Sequence, residues 1–419
     1  MICIMEVYYL DTRLKTAIFI FFIFLIAFIS IMYISEYRNM DKLQEEYPEL
    51  SNHVYRYRKD TLKVWAIRLI LSFLVPLLLL SKGISQRIDM WASHNRGLFI
   101  SGILYGLVFF TIMFLINLPI NYYSSFYLGH KYGISNQTLW RWIELNIKGF
   151  AVNNLVIVLF LWIPYYIVFK SPKRWWLHIG LLIIPVIVFM VFISPLVLDP
   201  IFNKYTSIEN EKLGHEISLL LDKANISDAN IYKVDKSKDT KTMNAYMTGI
   251  SKSKRIVLWD TTIDNLSEEE ILSITAHEIG HYVHGHIWKS ILFASVGTLF
   301  VMYLIYITMN WILEHSYGSF GFRSIYNYAS LPLFILTLNL YTFLGNPINN
   351  YISRYMEIEA DAYEIMLTED RESAVSAMEK LYVQSLGVPR SSKLYKIWYH
   401  THPSLEERIN FYKNHSIDK

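Results

Sequence analysis

The chain has 419 residues, of which 53% are hydrophobic and 18% are charged, with a formal net charge of +3. Because an average soluble protein is about 25% charged, this composition excludes a set of ordinary soluble domains and indicates several membrane crossings. The small net charge, carried by basic residues scattered through the loops, excludes a nucleic-acid partner.

Five apolar stretches before residue 200 and two after residue 290 are long enough to cross the roughly 30 Å core of a bilayer as helices. The first stretch is too long for the apolar part of a signal peptide and has no small-residue cleavage site after it, so we interpret it as a retained anchor. Arg68 lies within the second stretch, where an arginine should snorkel or face a polar interior. The sequence therefore predicts a multi-pass integral membrane protein with seven spans, at residues 16–35, 64–81, 97–118, 149–169, 175–193, 291–312 and 328–345.

Two polar segments interrupt the pattern of spans. Residues 200–290 show helical spacing at 212–224 and strand patterns at 230–234 and 255–259, and residues 347–419 are mostly helical in pattern. We predict that these segments together form an α+β catalytic domain. The chain then divides into spans one to five with their loops (1–199), a first catalytic segment (200–290), spans six and seven (291–346) and a C-terminal catalytic segment (347–419).

A zinc-binding pattern stands at the end of the first catalytic segment. His277 and His281, in the sequence HEIGH, are four residues apart, so a helix presents both imidazoles on one face at a separation that one ion can bridge. Ser267 and Glu270 form a capping box that predicts the start of this helix. Cys3 is the only cysteine, so the remaining ligand must be a carboxylate or another histidine. The alternative is an amphipathic helix whose histidines are solvated or packed.

A second helix supplies carboxylates downstream. Glu357 and Asp361 are four residues apart and therefore share one face, whereas Glu359 points to the opposite side. We assign Glu357 as the third metal ligand and Asp361 as the acceptor of the free N–H of a ligating histidine. The set is that of a gluzincin with one Zn²⁺ per chain.

Two further histidines follow the zinc pattern. A metzincin requires glycine and histidine where this chain has His284 and Ile287, so that class is excluded. We interpret His284 and His286 as ordinary polar residues near the helix end.

The ligand set predicts a mechanism. Three protein ligands leave one metal position open for a water, whose pKa the metal lowers to about 7. Glu278 would take the proton of that water as general base during attack on a peptide carbonyl and pass it to the leaving amine. The oxyanion requires another donor from elsewhere in the chain.

Several motifs stand in a definite order along the chain: 131–138 (KYGISNQT), 199–205 (DPIFNKY), 244–249 (NAYMTG), 277–281 (HEIGH), 353–361 (SRYMEIEAD) and 402–404 (HPS) with Arg408. This order resembles that of the membrane-integrated CAAX prenyl proteases of type 1, which are relatives of the heat-shock protease HtpX. The loop at 131–138 is similar to the prenyl proteases rather than to HtpX. Together with the seven spans, the resemblance covers nearly the whole chain.

The resemblance implies seven tilted helices around a large chamber, with the zinc site facing its interior. It also implies that the strand with Asn244, Ala245 and Tyr246 binds an extended substrate by edge pairing, which the unpaired backbone groups of an edge strand permit. His402 would donate to the oxyanion, and Arg408 would have a supporting or substrate-carboxylate role. From the residues alone, His402 belongs to a turn before a helix and Arg408 to a solvated surface.

The leading hypothesis is a zinc metalloendopeptidase that cleaves peptide or protein substrates at the membrane, including lipid-modified ones. One alternative is an HtpX-like quality-control protease, against which the loop at 131–138 and the number of spans argue. Another is a non-enzymatic scaffold with a relic metal site, against which the intact Glu278 argues. The charge of the loops does not decide the orientation, but the resemblance implies a catalytic domain on the cytoplasmic side. No feature of the sequence indicates an oligomeric state.

Overall fold

The computed structural model describes residues 11–226, 229–250 and 253–415. The strands are β1 (Tyr205–Ser207), β2 (Asn230–Val234), β3 (Ala245–Thr248) and β4 (Arg255–Trp259). A π-helical segment (Tyr122–Tyr127) joins α4 to α5, and a 3-10 turn (Tyr328–Ser330) precedes α14. The α-helices are α1 (Thr12–Glu46), α2 (Asn52–Ser81), α3 (Ile84–Ser93), α4 (Leu98–Asn121), α5 (Leu128–Lys131), α6 (Leu139–Phe160), α7 (Trp162–Lys170), α8 (Trp175–Val197), α9 (Asp199–Phe202), α10 (Lys212–Lys223), α11 (Asp260–Asn265), α12 (Glu268–Val283), α13 (His286–Ser316), α14 (Leu331–Thr368), α15 (Arg371–Gln384), α16 (Lys393–Tyr399) and α17 (Leu405–Asn414).

Seven helical stretches of the described chain are long and apolar enough to cross a membrane. Each contains one of the predicted spans, except that the third predicted span begins one residue earlier, at Gly97, so the prediction of a seven-span helical protein is confirmed. The stretches are Thr12–Glu46, Asn52–Ser81, Leu98–Lys131, Leu139–Lys170, Trp175–Phe202, His286–Ser316 and Tyr328–Thr368.

The polar segments are continuous with the spans that flank them. The helix α14 carries the seventh span and then Glu357 and Asp361 without a break, and α13 begins directly after the zinc helix α12. The predicted segment boundaries at 290/291 and 346/347 therefore lie within helices. Because the two catalytic segments follow the fifth and seventh spans, both emerge on the same face of the membrane.

A small mixed sheet forms one wall of the catalytic part, with the strand order β1-β2-β4-β3. The strands β2 and β4 are parallel, and β3 pairs antiparallel with β4 at the end of the sheet, where Ala245 lies opposite Leu258. The buried side chains of Ile256 and Leu258 pack with Ile271 and Ile274 of α12. This packing places the edge strand β3 next to the zinc helix.

The loop between the third and fourth spans docks on the catalytic part. Ser135 forms an isolated β-bridge with Thr240, and the Gln137 side-chain amide donates to the Asp239 carboxylate at 3.2 Å. This contact, which joins residues about a hundred positions apart, fixes the spans relative to the catalytic segments.

Arg68, inside the second span, is exposed, and its guanidinium has polar partners. Its guanidinium donates to Asn121 Oδ1 at 3.1 Å and to Ser124 Oγ at 2.7 Å. It also lines a cavity of about 630 Å³ that Trp65 and Tyr399 share. The second span therefore borders internal space in the helical bundle.

Candidate metal centre and active site

The zinc helix α12 is fixed at its first turn. Ser267 Oγ accepts from the Glu270 backbone N–H at 3.3 Å, and the Glu270 carboxylate accepts from the Ser267 N–H at 2.8 Å, so the predicted capping box is present. The same carboxylate also accepts from Ser376 and Lys380 of α15. Burial alone raises the pKa of Glu270, but these donors outweigh it and lower the pKa below its usual value. The helix start is thus tied to α15 by a charged carboxylate.

The helices α12 and α14 approach most closely at Gly280. A Cβ atom at this position would lie 3.1 Å from the Cα and carbonyl oxygen of Ala360, a distance tighter than ordinary van der Waals contact. The absence of a side chain at Gly280 therefore lets the helices touch. This contact brings Glu357 of α14 to the histidines of α12.

Three candidate ligand atoms converge between these helices. The Nε2 atoms of His277 and His281 are 3.1 Å apart; His277 Nε2 lies 3.4 Å from Glu357 Oε2, and His281 Nε2 lies 3.4 Å from Glu357 Oε1. Ligands at about 2.0 Å in a tetrahedron stand about 3.3 Å from one another, so this spacing matches a tetrahedral cation. Glu357 Oε2 is buried and has no hydrogen-bond partner among the described residues. A cation between the three side chains would satisfy that oxygen, so the residues fit a metal.

The outer nitrogen of His277 meets a buried polar cluster. Its Nδ1 lies 2.9 Å from Asp361 Oδ1. Arg408 donates to both Asp361 oxygens, and the Tyr412 hydroxyl, with one hydrogen to donate, lies 3.0 Å from Asp361 Oδ1 and 2.7 Å from Glu364 Oε2. The carboxylates next to His277 are therefore already paired with protein donors, and a second metal in this cluster would have to displace them.

This cluster changes the proton affinity of His277. Burial alone lowers its pKa, but hydrogen bonds to Asp361, Glu357 and Glu364 outweigh burial and raise the pKa well above its usual value. The metal-free imidazole therefore holds a proton more firmly than an ordinary histidine.

The structure buries Arg408, for which the residues alone suggest a solvated surface. The guanidinium already pairs with Asp361 through two nitrogens, and a bond to a substrate carboxylate would require that this pairing be broken. The contacts fit the supporting role that the resemblance implies.

The outer nitrogen of His281 meets residues that sequence reasoning missed. Its Nδ1 lies 2.8 Å from His286 Nδ1, and His286 Nε2 lies 3.0 Å from a carboxylate oxygen of Glu359. His286 is buried, so its interpretation as an ordinary polar residue at the helix end is wrong. His284, by contrast, stacks on His286 and makes an edge contact with Tyr363. The turn between α12 and α13 gives His284 and His286 different surroundings, and Gly285 is the residue in the sequence that indicates this turn.

Glu278 lies beside the candidate ligands and lines the same cavity. Burial raises the pKa of its carboxyl, while the nearby His277 and His281 and the backbone amide of Met247 lower it by smaller amounts. The net effect is a carboxyl with a pKa above its usual value of 4.5, and hence a stronger base than an exposed glutamate.

The predicted substrate strand is the edge strand β3. Asn244 precedes it, and its side-chain oxygen accepts from the Ala245 N–H at 2.9 Å. Asn244, Ala245 and Met247 line the cavity, whereas the Tyr246 side chain bonds to Tyr205 instead. Tyr246 can therefore contribute its backbone to this edge, and its ring is used within the sheet.

His402 stands at the opposite wall of the site. Its Nε2 is 3.4 Å from Glu357 Oε1, and 60% of its side chain is exposed. Arg354, on the same helix as Glu357, donates to the backbone carbonyls of Lys396 and His400 at 3.1 and 2.6 Å. Arg354 thus holds the turn that carries His402, a contact that its place in the 353–361 motif did not reveal.

The site opens into a cavity of about 960 Å³. Its lining includes Val191, Ser290 and Met356 from helices that contain the fifth, sixth and seventh spans, as well as Glu278 and His402. The candidate active site therefore faces internal space between the spans and the catalytic part.

Comparisons with known proteins agree with this arrangement. Residues 41–204 match the model of the CAAX prenyl protease N-terminal region, which has five membrane helices, and residues 207–415 match peptidase family M48. The uncharacterized metalloprotease YhfN of Bacillus subtilis is 34% identical over 332 residues, which are 79% of this chain and 78% of YhfN. CAAX prenyl protease 1 of Saccharomyces cerevisiae is 31% identical over 316 residues, which are 70% of this chain and 68% of that protein.

The fold is also similar to a solved structure. The crystal structure of S. mikatae Ste24p matches with a TM-score of 0.81 and 26% identity, and the match covers 93% of this chain and 97% of that chain. These findings confirm the predicted resemblance, the helical membrane fold and the prediction of a metalloprotease over a non-enzymatic scaffold. The chain therefore belongs to peptidase family M48, with the CAAX prenyl proteases of type 1, and is an integral-membrane metalloprotease acting on peptide or protein substrates.

Proposed function

We propose that the protein is a zinc endopeptidase whose metal is held by His277, His281 and Glu357. The observation that carries this proposal is the Glu357 carboxylate, whose buried Oε2 has no hydrogen-bond partner among the described residues and lies 3.4 Å from His277 Nε2, while its Oε1 lies 3.4 Å from His281 Nε2. Two nitrogens and one carboxylate oxygen, with a fourth position facing a cavity, form the donor set of a catalytic zinc site. When bound, zinc would polarise the scissile carbonyl and activate a water.

Glu278 is the general base in this proposal. It takes a proton from the attacking water, a transfer that a pKa above the usual glutamate value assists, and then gives the proton to the leaving nitrogen. Partial burial keeps bulk water from competing for its carboxylate, and the nearby Met247 amide helps to hold it.

His402 is the proposed donor to the oxyanion, since it lies across the ligand Glu357 and projects into the cavity. Asp361 orients His277 by accepting from its Nδ1–H, and Arg408 keeps the Asp361 carboxylate in place. Asp361 and Arg408 are therefore positioning residues.

The substrate pairs as an added strand with the free edge of β3. The residues 244–247 border the cavity on the side of Glu278, so an extended peptide along this edge runs past the metal ligands. Asn244 fixes the start of the edge through its bond to the Ala245 amide.

The substrate class follows from the membrane setting of the cavity. We propose peptide segments at or near the membrane, including lipid-modified C-terminal segments of the kind that the name CAAX prenyl protease 1 implies for the S. cerevisiae relative. The docking of the loop at 131–138 on the catalytic part and the seven spans favour this over a general quality-control role. We further propose that the catalytic part lies on the cytoplasmic side.

The test of the chemistry uses purified protein, metal analysis and a fluorogenic peptide. Wild type should bind one zinc per chain and cleave the peptide, and Glu278→Gln should keep the zinc but lose activity at least about a hundredfold. Glu357→Ala should lose the zinc. Equal cleavage by wild type and Glu278→Gln would remove the mechanism, and full zinc occupancy in Glu357→Ala would move the third ligand elsewhere.

Substrate class and orientation need separate measurements. Matched farnesylated and unmodified peptides should differ in kcat/KM in favour of the lipid-modified one, whereas equal values would favour the quality-control alternative. For orientation, Lys413→Cys in a Cys3→Ser background should react with an impermeant thiol reagent only from the cytoplasmic face. Reaction from the outer face alone would reverse the proposed orientation.

A further inference from the structure

The second zinc ligand in the proposed site has an unusual outer partner. His277 meets the carboxylate of Asp361 directly, whereas His281 meets another imidazole, that of His286. Gly285 makes this possible, because its left-handed backbone (φ 63°) ends α12 and starts α13 in one residue. The turn folds the first side chain of α13 back against the last turn of α12. The result is a buried histidine at hydrogen-bond distance from a metal ligand.

The proton positions in this contact are determined by its neighbours. His281 directs Nε2 toward His277 and Glu357, so Nε2 must keep a lone pair for a metal and its Nδ1 must carry the hydrogen. The two Nδ1 atoms are 2.8 Å apart, so His286 has to accept that hydrogen through its own Nδ1. A neutral His286 then carries its hydrogen on Nε2.

Glu359 selects that same form of His286. Its carboxylate oxygen lies 3.0 Å from His286 Nε2 and can only accept when ionised. Lys289 Nζ lies 3.2 Å from the same oxygen and supplies a countercharge. In the opposite tautomer, the lone pair of His286 Nε2 would face the carboxylate, and two N–H groups would meet at the His281 contact. One arrangement of hydrogens therefore satisfies all three side chains.

We propose that His286 and Glu359 are positioning residues that hold His281 in the tautomer and ring orientation that a metal requires. This inference rests on the proposed zinc site and adds to it a chain of two hydrogen bonds, from Glu359 through His286 to His281. Glu359 is on the opposite side of α14 from Asp361, so the two histidine ligands are oriented from two different sides of one helix. At His281 Nδ1, the imidazole of His286 takes the place that the Asp361 carboxylate has at His277 Nδ1.

The test measures zinc affinity of the metal-free protein by chelator competition, with the visible spectrum of the Co²⁺-substituted protein as a second readout. His286→Leu removes the acceptor and should weaken zinc binding by about 10- to 100-fold. His286→Asn can present an oxygen near the position of Nδ1 and should recover affinity to within about threefold of wild type. Glu359→Ala acts one bond further out and should weaken binding by about three- to tenfold while keeping full occupancy at excess zinc.

His284→Ala is the matched control, because His284 lies in the same turn and stacks on His286. It should leave zinc affinity and the Co²⁺ spectrum unchanged, whereas His286→Leu and Glu359→Ala should shift the spectrum. The thermal midpoint of each metal-free variant reports folding, and Glu359→Ala keeps the test valid if His286→Leu does not fold.

Three results would overturn the relay. The first is a wild-type zinc affinity in both single variants, Glu359→Ala and His286→Leu. The second is a loss of zinc affinity in His284→Ala equal to that in His286→Leu, and the third is a zinc affinity in His286→Asn no better than in His286→Leu. These results differ from failure of the proposed zinc site itself, in which the wild type would not bind zinc at all.

Discussion

Replacing Asp361 by asparagine separates two roles of one buried carboxylate. Asp361 accepts from both Arg408 nitrogens and from Tyr412, and it also faces His277 Nδ1 at 2.9 Å. The amide would leave the buried Arg408 charge without its partner, which costs about 3 to 5 kcal/mol in unfolding free energy. The asparagine side chain would also direct its own N–H group toward one of the groups that donate to Asp361, so one hydrogen bond would be lost. Zinc affinity should fall by about 10- to 100-fold, because the orientation of His277 is lost.

The double variant Asp361→Asn with Arg408→Gln distinguishes the two effects. Removing the guanidinium removes the unpaired charge, so the double variant should regain at least about half of the lost unfolding free energy. Its zinc affinity should stay below that of wild type, because a neutral amide oxygen is a weaker acceptor for the His277 N–H than the ionised Asp361 carboxylate. Denaturant titration in detergent and chelator competition measure the two quantities. A double variant no more stable than Asp361→Asn would refute the buried-charge reasoning, and wild-type zinc affinity in Asp361→Asn would refute the orienting role.

Three further predictions concern the same site. Zinc affinity of the metal-free protein should fall by about tenfold per pH unit as the pH is lowered through the raised pKa of His277, because proton and metal compete for one lone pair. The fall should begin at a pH above the usual histidine pKa of 6.5. A zinc affinity that stays constant down to pH 6.5 would contradict the raised pKa. Gly280→Val should force α12 and α14 apart at Ala360 and lower the zinc occupancy measured by metal analysis. Gly297→Val is the control and should leave zinc occupancy unchanged, because a Cβ at Gly297 meets nothing within 4 Å. Arg354→Gln should free the turn that carries His402, the proposed oxyanion donor, and lower kcat by about 10- to 100-fold at full zinc occupancy. An unchanged kcat in steady-state assays would exclude a positioning role for Arg354.

The distance in sequence between contacting residues explains which parts of the site were predictable. The HEIGH pattern and its capping box are local features, because helical periodicity fixes the relation of His277 to His281 within one turn. The seven spans are equally local, since each is a long apolar run. The choice of Glu357 and Asp361 also followed from their spacing, and the structure places both beside the imidazoles.

Other features depend on residues far apart in the chain. Arg408 and Asp361 are 47 residues apart, and His286 and Glu359 are 73 residues apart. No local pattern predicts such pairs, so Arg408 read alone resembled a surface residue and His286 resembled a solvated one. The predicted segment boundaries at 290/291 and 346/347 lie within helices for a related reason. The boundaries were drawn where hydropathy falls as a helix leaves the apolar region, but α14 continues as one uninterrupted helix to Thr368.

The sequence by itself determined the membrane architecture and the pairing of His277 with His281 on one helix face, because apolar length and helical spacing act within a few turns. The tertiary structure decided how each ligand is held, since that depends on which helices touch. Gly280 lets α12 meet α14, and Gly285 turns His286 back toward His281. Asp361 and Arg408 are buried and Glu359 is half-buried, and their long-range contacts place them where we propose that they set proton positions around the metal.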